Sequence, residues 1–306
     1  MANPHFAPPD LMILVAGSAN LDFVVRAQHI PAPGETVLGR EFKTFPGGKG
    51  ANQAVASARA GGAPTAMLLA LGDDAFATPL EQSLREAGVL LHIKRVAEEP
   101  TGTAFICVSD DAENAITVAP GANNALLAHD LVLLAGISHL LMQLETPLAS
   151  VAAYAAAARK QGVKVVLNAA PAQKLPDGLL ALIDVLIVNE GELAVIANHG
   201  GNIEQDLARV AVPCVIVTLG SQGALARLDG QLMRQAAFPV KPVDTTGAGD
   251  TFCGVLVAAL SQGQALAQAL RMASAAGALA CTRPGAQSSI PTHDELQGFL
   301  AEHPGV

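Results

Sequence analysis

The chain has 306 residues, 51% hydrophobic and only 15% charged, which is enough to bury a large core in one α/β domain. It carries 18 Lys and Arg against 27 Asp and Glu, and the net charge of -9 argues against a partner with a phosphate backbone. Aromatics at 3%, with no Trp, leave little to stack on single-stranded bases, whereas backbone amides or a metal ion could still hold a small anion locally.

The N-terminal "MANPHFAPPD" has no basic segment followed by an apolar core, so it reads as a loose arm and not as a secretory signal. "LMILVAGSANLDFVV" predicts a buried strand that leaves through Gly17 and Ser18. "GANQAVASARAGG" has small apolar residues at helical spacing and stops at Gly61 and Gly62. "TAMLLALG" predicts a strand, and "DAFATPLEQSLREAG" a helix closed by Gly88. The strand "HLLMQLE" follows, then a helix from Pro147 to Gly162 and the strand "VKVVLNAA". "LIDVLIVNEGE" and "PCVIVTLGSQG" predict two more strands, with a helix starting at "GELAVIANHGG" between them. The last third reads as helical, in "DTFCGVLVAALSQG" and "ALAQALRMASAAGALACT". Short apolar strands that do not alternate, separated by helices, mean a mostly parallel sheet covered on both faces.

Two regions break this pattern with turn residues, β-prone runs and no helix. They are His29 to Phe45 and Thr101 to Asn124. In the second, Ala104, Ile106 and Val108 and then Ile116 and Val118 flank a polar "SDDAEN" turn, as in a hairpin. Both are too short to fold alone, and together they could form a small antiparallel sheet projecting from the main domain. No apolar run is long enough to cross a membrane. Cys107, Cys214, Cys253 and Cys281 form no CxxC pair, and no His stands near them at metal-ligand spacing. They read as buried small hydrophobes in a reducing compartment, which suggests the cytoplasm.

The chemistry concentrates where predicted strands pass into helices. In "DTTGAGD", Gly247, Ala248 and Gly249 lack bulky side chains, so their amides at a helix N-terminus could cradle an anion. Asp250 beside them is placed to accept a proton from a hydroxyl, a pairing that phosphoryl transfer to an alcohol requires. The alternative is that Asp250 and Thr251 merely cap the helix. "FPGGKGANQA" opens another helix, with Gly48 allowing close approach and Lys49 and Asn52 offering donors; a plain turn is the competing reading. Asn20 and Asp22 alternate onto one side beyond the first strand, which suits the neighbouring hydroxyls of a sugar as well as an Asx turn. Glu145 ends another strand and could join them.

Asn189 and Glu192, three apart, could orient water around Mg2+ on nucleotide phosphates, or could form only a capping box. Thr218, Gly220 and Gly223 lie on a strand exit along which a nucleotide could run, and "CTRPGAQSSIP" supplies carbonyls and hydroxyls with few charges. No G-x-x-x-x-G-K-[ST] occurs, because Gly50 follows Lys49. No G-x-G-x-x-G follows the first strand, which removes support for a nicotinamide-dependent oxidoreductase.

"PGGKGANQA", "NEGE", "VTLGSQG" and "DTTGAGDTF" occur in this order at sensible separations, and the set resembles the PfkB carbohydrate kinase family from about Met12 to Pro291. "NLD", "PAPGET", "PTGTAF", "LLMQLETPL", "LNAAPA" and "TRPGAQSSIP" strengthen the resemblance. "GGKGANQA" with "LMQLE" is similar to the branch that phosphorylates ribose rather than nucleosides or fructose phosphates. The resemblance implies a doubly wound α/β fold and ATP-dependent phosphorylation of D-ribose at its 5-hydroxyl. Kinases of 2-deoxyribose or of a nucleoside are the alternatives. It also implies a single domain over residues 1–306, with a small antiparallel β lid formed by inserted segments at about 20–46 and 100–124.

By the same resemblance, Asp250 matches the catalytic base and Gly247, Ala248 and Gly249 the anion hole. Asn20, Asp22, Gly48, Lys49, Asn52 and Glu145 match sugar contacts. Asn189, Thr218, Gly220, Ser221 and Gly223 match nucleotide contacts, and Glu192 the residue that organises the Mg2+ water shell. Asp244, Thr246, Ala280, Arg283, Gly285 and Ser289 match a site for a monovalent cation, usually K+, most of them through carbonyls. Lid closure would exclude water, and a homodimer through the lid is implied, with no nucleic acid or membrane partner. A regulator that kept the fold but lost catalysis would be expected to have lost Asp250, the glycine turn or Glu192, and all are present.

Overall fold

The computed structural model describes residues 12–111 and 113–306, so the N-terminal arm lies outside the described residues. The first described element, β1 (Met12–Ala16), lies in the interior of a nine-stranded sheet, and the chain leaves it at once for a second sheet. There β2 (Asn20–Arg26) pairs with β3 (Glu41–Gly47) before α1 (Lys49–Val55) returns the chain to the main body, continued by a π-helical turn to Ala60. β4 (Thr65–Gly72), α2 (Ala77–Glu86) and β5 (Leu90–Val96) then extend the large sheet on one side of β1. A second excursion supplies β6 (Gly102–Val108) and β7 (Asn114–Ala119).

On the other side of β1 come β8 (Ile137–Met142), α3 (Leu148–Lys160), β9 (Lys164–Asn168), α4 (Asp177–Leu180) and β10 (Val185–Asn189). They are followed by α5 (Glu190–Ala197), α6 (Ile203–Arg209) and β11 (Cys214–Thr218). The hairpin β12 (Ala224–Leu228) and β13 (Gln231–Gln235) closes this edge antiparallel. The chain ends with α7 (Ala248–Ser261), α8 (Leu266–Ala280) and α9 (His293–Glu302).

The sheet order is β13-β12-β11-β10-β9-β8-β1-β4-β5, and every pairing from β11 to β5 is parallel. Successive residues of each central strand enter opposite cores, which is why these strands read as unbroken apolar runs. Ile13 and Val15 pack with α7 and α8, while Leu14 and Ala16 pack with α3 and the helices beyond it. The order reverses between β1 and β8, so a crevice opens at the carboxyl ends of these strands, the usual ligand position in an open α/β sheet.

The second sheet, ordered β3-β2-β6-β7, is the expected small lid. Its two antiparallel pairs are joined through a parallel pairing of β2 with β6. Some details differ from the sequence reading. A short 3-10 turn at Gly121–Ala125 closes the second lid segment, where no helix was expected. The last third also contains β12, buried over Ala224, Leu225 and Ala226, and β13, exposed along most of its length unlike the central strands. Of the cysteines, Cys214 and Cys253 are buried but Cys107 and Cys281 are only half-buried, because they lie on the lid and in a loop; all four are free thiols. Among the described residues no helix is long and apolar enough to cross a membrane.

Candidate active site

The approach of α1 to α7 forms the centre of the crevice. Gly254, one helical turn beyond Asp250, faces the backbone of α1, and a Cβ there would come within 2.4 Å of the Gln53 carbonyl oxygen. Ser57 Oγ donates to the Gly254 carbonyl at 2.9 Å and fixes the crossing. At this distance the amides of two consecutive α1 residues reach one carboxylate. Asn52 Nδ2 donates to Asp250 Oδ2 and Gln53 Nε2 to Asp250 Oδ1, each at 2.9 Å. Asp250 therefore does not cap its own helix. Gly247 holds the N-cap position at φ +72° with no side-chain cap, and Thr251 Oγ1 donates back to the Gly247 carbonyl.

Asn20 and Asp22 lie on one face of β2, buried between the lid and the main domain. Asn123, from the end of the second lid segment, donates from Nδ2 to Asn20 Oδ1 at 2.8 Å, leaving the amide group of Asn20 for a ligand. Burial first, then the charges of Glu145 and Asp250, push the Asp22 carboxyl up to about 7, against the lowering effect of Lys49. Among the described residues no hydrogen bond acts on that carboxyl. Gly48, at φ +87°, lets the chain pass β2 so closely that a Cβ would sit 2.6 Å from the Asn20 amide nitrogen. Lys49 follows. Its backbone N–H and Ser18 Oγ both donate to Glu145 Oε2, at 3.1 and 2.6 Å, and its ammonium stands 3.9 Å from Glu145 Oε1. Asp250 beside it raises the Lys49 ammonium above its ordinary range, with burial opposing.

A cleft of about 170 Å³ continues from Asp250 and Lys49 past Gly247 and Gly249 to Asn189, Glu192 and Thr218. The capping box at Asn189 and Glu192 is present: Asn189 Oδ1 accepts from the Glu192 N–H, and Glu192 Oε2 from the Asn189 N–H, both at 2.8 Å. Capping and a functional role coexist here, because the box occupies one carboxylate oxygen and the residue still lines the cleft. Burial, helped by Asp250, raises the Glu192 carboxyl, while the Asn189 N–H and Lys49 oppose the shift. Gly220 and Ser221 lie farther out, exposed in the 3-10 turn after β11. Gly223 packs against the β13 backbone, where a Cβ would meet the Gln235 oxygen at 2.1 Å.

The remaining residues form a second cluster beside the α7 N-terminus. Asp244 accepts from the Thr246 N–H on Oδ1 and from the Gly285 N–H on Oδ2, both at 2.9 Å, and so ties the late loop to the turn before α7. The Arg283 guanidinium points away to make a paired contact with Glu295, at 2.7 and 3.1 Å, which leaves only its main chain for the loop. Ser289 Oγ is buried and donates to the Ala286 carbonyl, and the Ala280 carbonyl accepts the Arg283 N–H at 3.3 Å. Among the described residues no cluster of three or more His, Cys, Asp or Glu side chains could hold a metal. Main-chain carbonyls of a loop beside one carboxylate are donors of the kind a large monovalent cation takes, and the single Glu192 carboxylate in the cleft is of the kind that orders water around Mg2+.

Sequence reading missed Ser18, Gln53, Asn123, Gln143 and Asn168. Asn168 carried a usable signal, since it is a polar residue ending an apolar strand, as Asn189 does. Gln53 was hidden by the single-residue step from Asn52, which on an ideal helix suggests a different direction.

A model of the PfkB family of carbohydrate kinases matches residues 10–293. The ribokinase of Haemophilus influenzae is 41% identical over 303 residues, covering 95% of this chain and 98% of that one. The deoxyribokinase of Salmonella typhi is 32% identical, with 94% and 98% covered. The crystal structure of the Thermotoga maritima ribokinase superposes with a TM-score of 0.88 at 35% identity, covering 95% of this chain and 99% of that one. The Arabidopsis thaliana ribokinase complexed with ribose and ATP gives 0.86 at 33% identity, with 96% and 99% covered. With the family model spanning nearly the whole chain and the amide-cradled Asp250 at the α7 N-terminus, the chain belongs to the PfkB family of carbohydrate kinases.

Proposed function

We infer that this chain transfers the γ-phosphoryl group of ATP to the 5-hydroxyl of D-ribose, yielding ribose 5-phosphate and ADP. The observation that carries this reading is the placement of Asp250. Its two oxygens are held by Asn52 and Gln53 between the buried polar groups of Asn20 and Asp22 and the cleft along Gly247 and Gly249. Similarity to a ribokinase complexed with ribose and ATP supports the choice of substrates. Asn20, Asp22, Lys49, Asn52 and Glu145 bind the sugar. As the hydroxyl O–H bond breaks, its proton passes to Asp250. The oxygen forms a bond to the γ-phosphorus, and the bond from that phosphorus to the bridging oxygen breaks to release ADP. The amides of Gly247, Ala248 and Gly249 take up the charge on the transferring group. The nucleotide lies along Asn189, Thr218, Gly220, Ser221 and Gly223.

Mg2+ would be held on the ATP phosphates through water oriented by Glu192, neutralising phosphate charge. A monovalent cation, K+ by preference, would sit against the carbonyls of Thr246, Ala280, Arg283 and Gly285, with Asp244 and Ser289, adding fixed positive charge beside the anion hole. The lid, from segments at about 20–46 and 100–124, belongs to a single domain and pairs with the lid of a second copy. Val24, Ile106 and Ile116 stand in register on its sugar-facing side, and Ile116 is exposed. ATP use and free thiols fit the cytoplasm.

A relative that is a deoxyribokinase makes 2-deoxyribose the second reading. The buried Asp22 carboxylate favours ribose, because it can serve both members of a vicinal hydroxyl pair. ADP release should be followed with ATP, Mg2+, K+ and a panel of pentoses, hexoses and nucleosides. Ribose should give the highest kcat/KM. Turnover with nucleosides alone would overturn the substrate while leaving the family in place.

A further inference from the structure

Gln53 is wholly buried, and every polar atom of its side chain is engaged. Its Nε2 donates to Asp250 Oδ1 and to Asn168 Oδ1, both at 2.9 Å, while its Oε1 accepts from Gln143 Nε2 at 2.6 Å. The surroundings dictate the direction of this amide. Asn168 Nδ2 donates to the Ile187 carbonyl at 3.2 Å, which turns its Oδ1 toward Gln53, and an ionised Asp250 can only accept. A reversed Gln53 would set its oxygen against two acceptors.

Asp250 therefore carries one neutral donor on each oxygen, Asn52 on Oδ2 and Gln53 on Oδ1. Two fixed points define the plane of a carboxylate, whereas a single one lets it turn about its Cβ–Cγ bond. Each oxygen keeps lone-pair capacity for an incoming alcohol. We propose that Gln53 is a positioning residue for phosphoryl transfer. It acts through Asp250, whose carboxylate plane it fixes, and is itself held in direction by Gln143 and Asn168. This rests on the reading of Asp250 as proton acceptor. Proton transfer requires heavy atoms about 2.6–3.2 Å apart, and a misplacement of about 1 Å costs on the order of 100-fold in rate.

The test is a double-mutant cycle. Gln53→Met keeps length and bulk but removes the donor. It should lower kcat about 10- to 100-fold while the KM for ribose and for ATP stays within about twofold. In an Asp250→Asn background the same change should cost nothing further, because the carboxylate it positions is gone. An equal kcat loss in both backgrounds, or a loss in KM instead, overturns the proposal and leaves the reading of Asp250 standing. Near-normal turnover of Asp250→Asn alone overturns both. Thermal unfolding checks the fold. Should Gln53→Met fail to fold, Gln143→Met carries the test, since it leaves both donors to Asp250 in place and frees only the far end of Gln53. It should lower kcat about 3- to 10-fold at unchanged KM, and an unaltered kcat sinks the idea.

Discussion

Asp22 is a buried carboxyl without a donor among the described residues, its pKa raised to about 7 by burial and by the charges of Glu145 and Asp250, with Lys49 opposing. Such a group weakens the fold until a ligand arrives. Between its ordinary value of 3.8 and about 7, the folded chain holds a proton that the unfolded chain releases, so stability falls as pH rises through that window. Asp22→Asn should therefore raise Tm more at pH 8 than at pH 4, and equal shifts at the two pH values would contradict the linkage. With Asp22 in its proposed role as an ionised acceptor for ribose, the ribose KM should climb as pH drops below about 7, a dependence that Asp22→Asn should flatten. Asp22→Ala should raise the ribose KM far more than it lowers kcat; comparable losses would rule out a purely binding role. Asp250→Asn should lower kcat by about 10²- to 10⁴-fold with ribose and ATP still bound, as measured by calorimetry.

At the scale of elements, the site depends on how closely α1 and α7 approach. Gly254→Ala would drive a methyl group into the Gln53 carbonyl and separate Asn52 and Gln53 from Asp250. Denaturant unfolding should show a loss of about 1–3 kcal/mol, and kcat should fall with it; an unchanged kcat would mean that this contact does not position the site. The strands themselves are held by burial in both cores. Leu14→Ala, facing the α3 side, should cost about 2–5 kcal/mol with little effect on KM. The parallel sheet was legible because Ile13, Leu14, Val15 and Ala16 are all apolar, the mark of a strand covered on both faces. The placement of the glycine turn, Asp250 and Glu192 at helix starts was legible for another reason: glycines and acidic residues collect where a helix begins, where free N–H groups and the positive end of the dipole lie. Gln53 and Gln143 were not legible, and Asn168 offered only its place at the end of an apolar strand. An amide is unremarkable in sequence, and only the folded chain brings residues 53, 143 and 168 within hydrogen-bonding distance. The edge strand β13 was missed because its polar Gln231, Arg234 and Gln235 dilute its apolar content, and β12 because its Ala and Leu residues favour a helix over a strand.

For the whole molecule, the proposed pairing of lids can be tested at Ile116, exposed on the sugar-facing side in register with Ile106 and Val24. Ile116→Glu should convert a dimer to a monomer in sedimentation and weaken ribose binding more than ATP binding. A wild-type chain that sediments as a monomer would remove the pairing. One further property follows from β2, which runs unbroken from Asn20 to Arg26 and so belongs to the sugar pocket at one end and to the lid at the other. Any swing of that flap would drag Asp22 along like the short arm of a lever. With Asp22 in its proposed role, opening the flap and letting go of the sugar would be a single mechanical event.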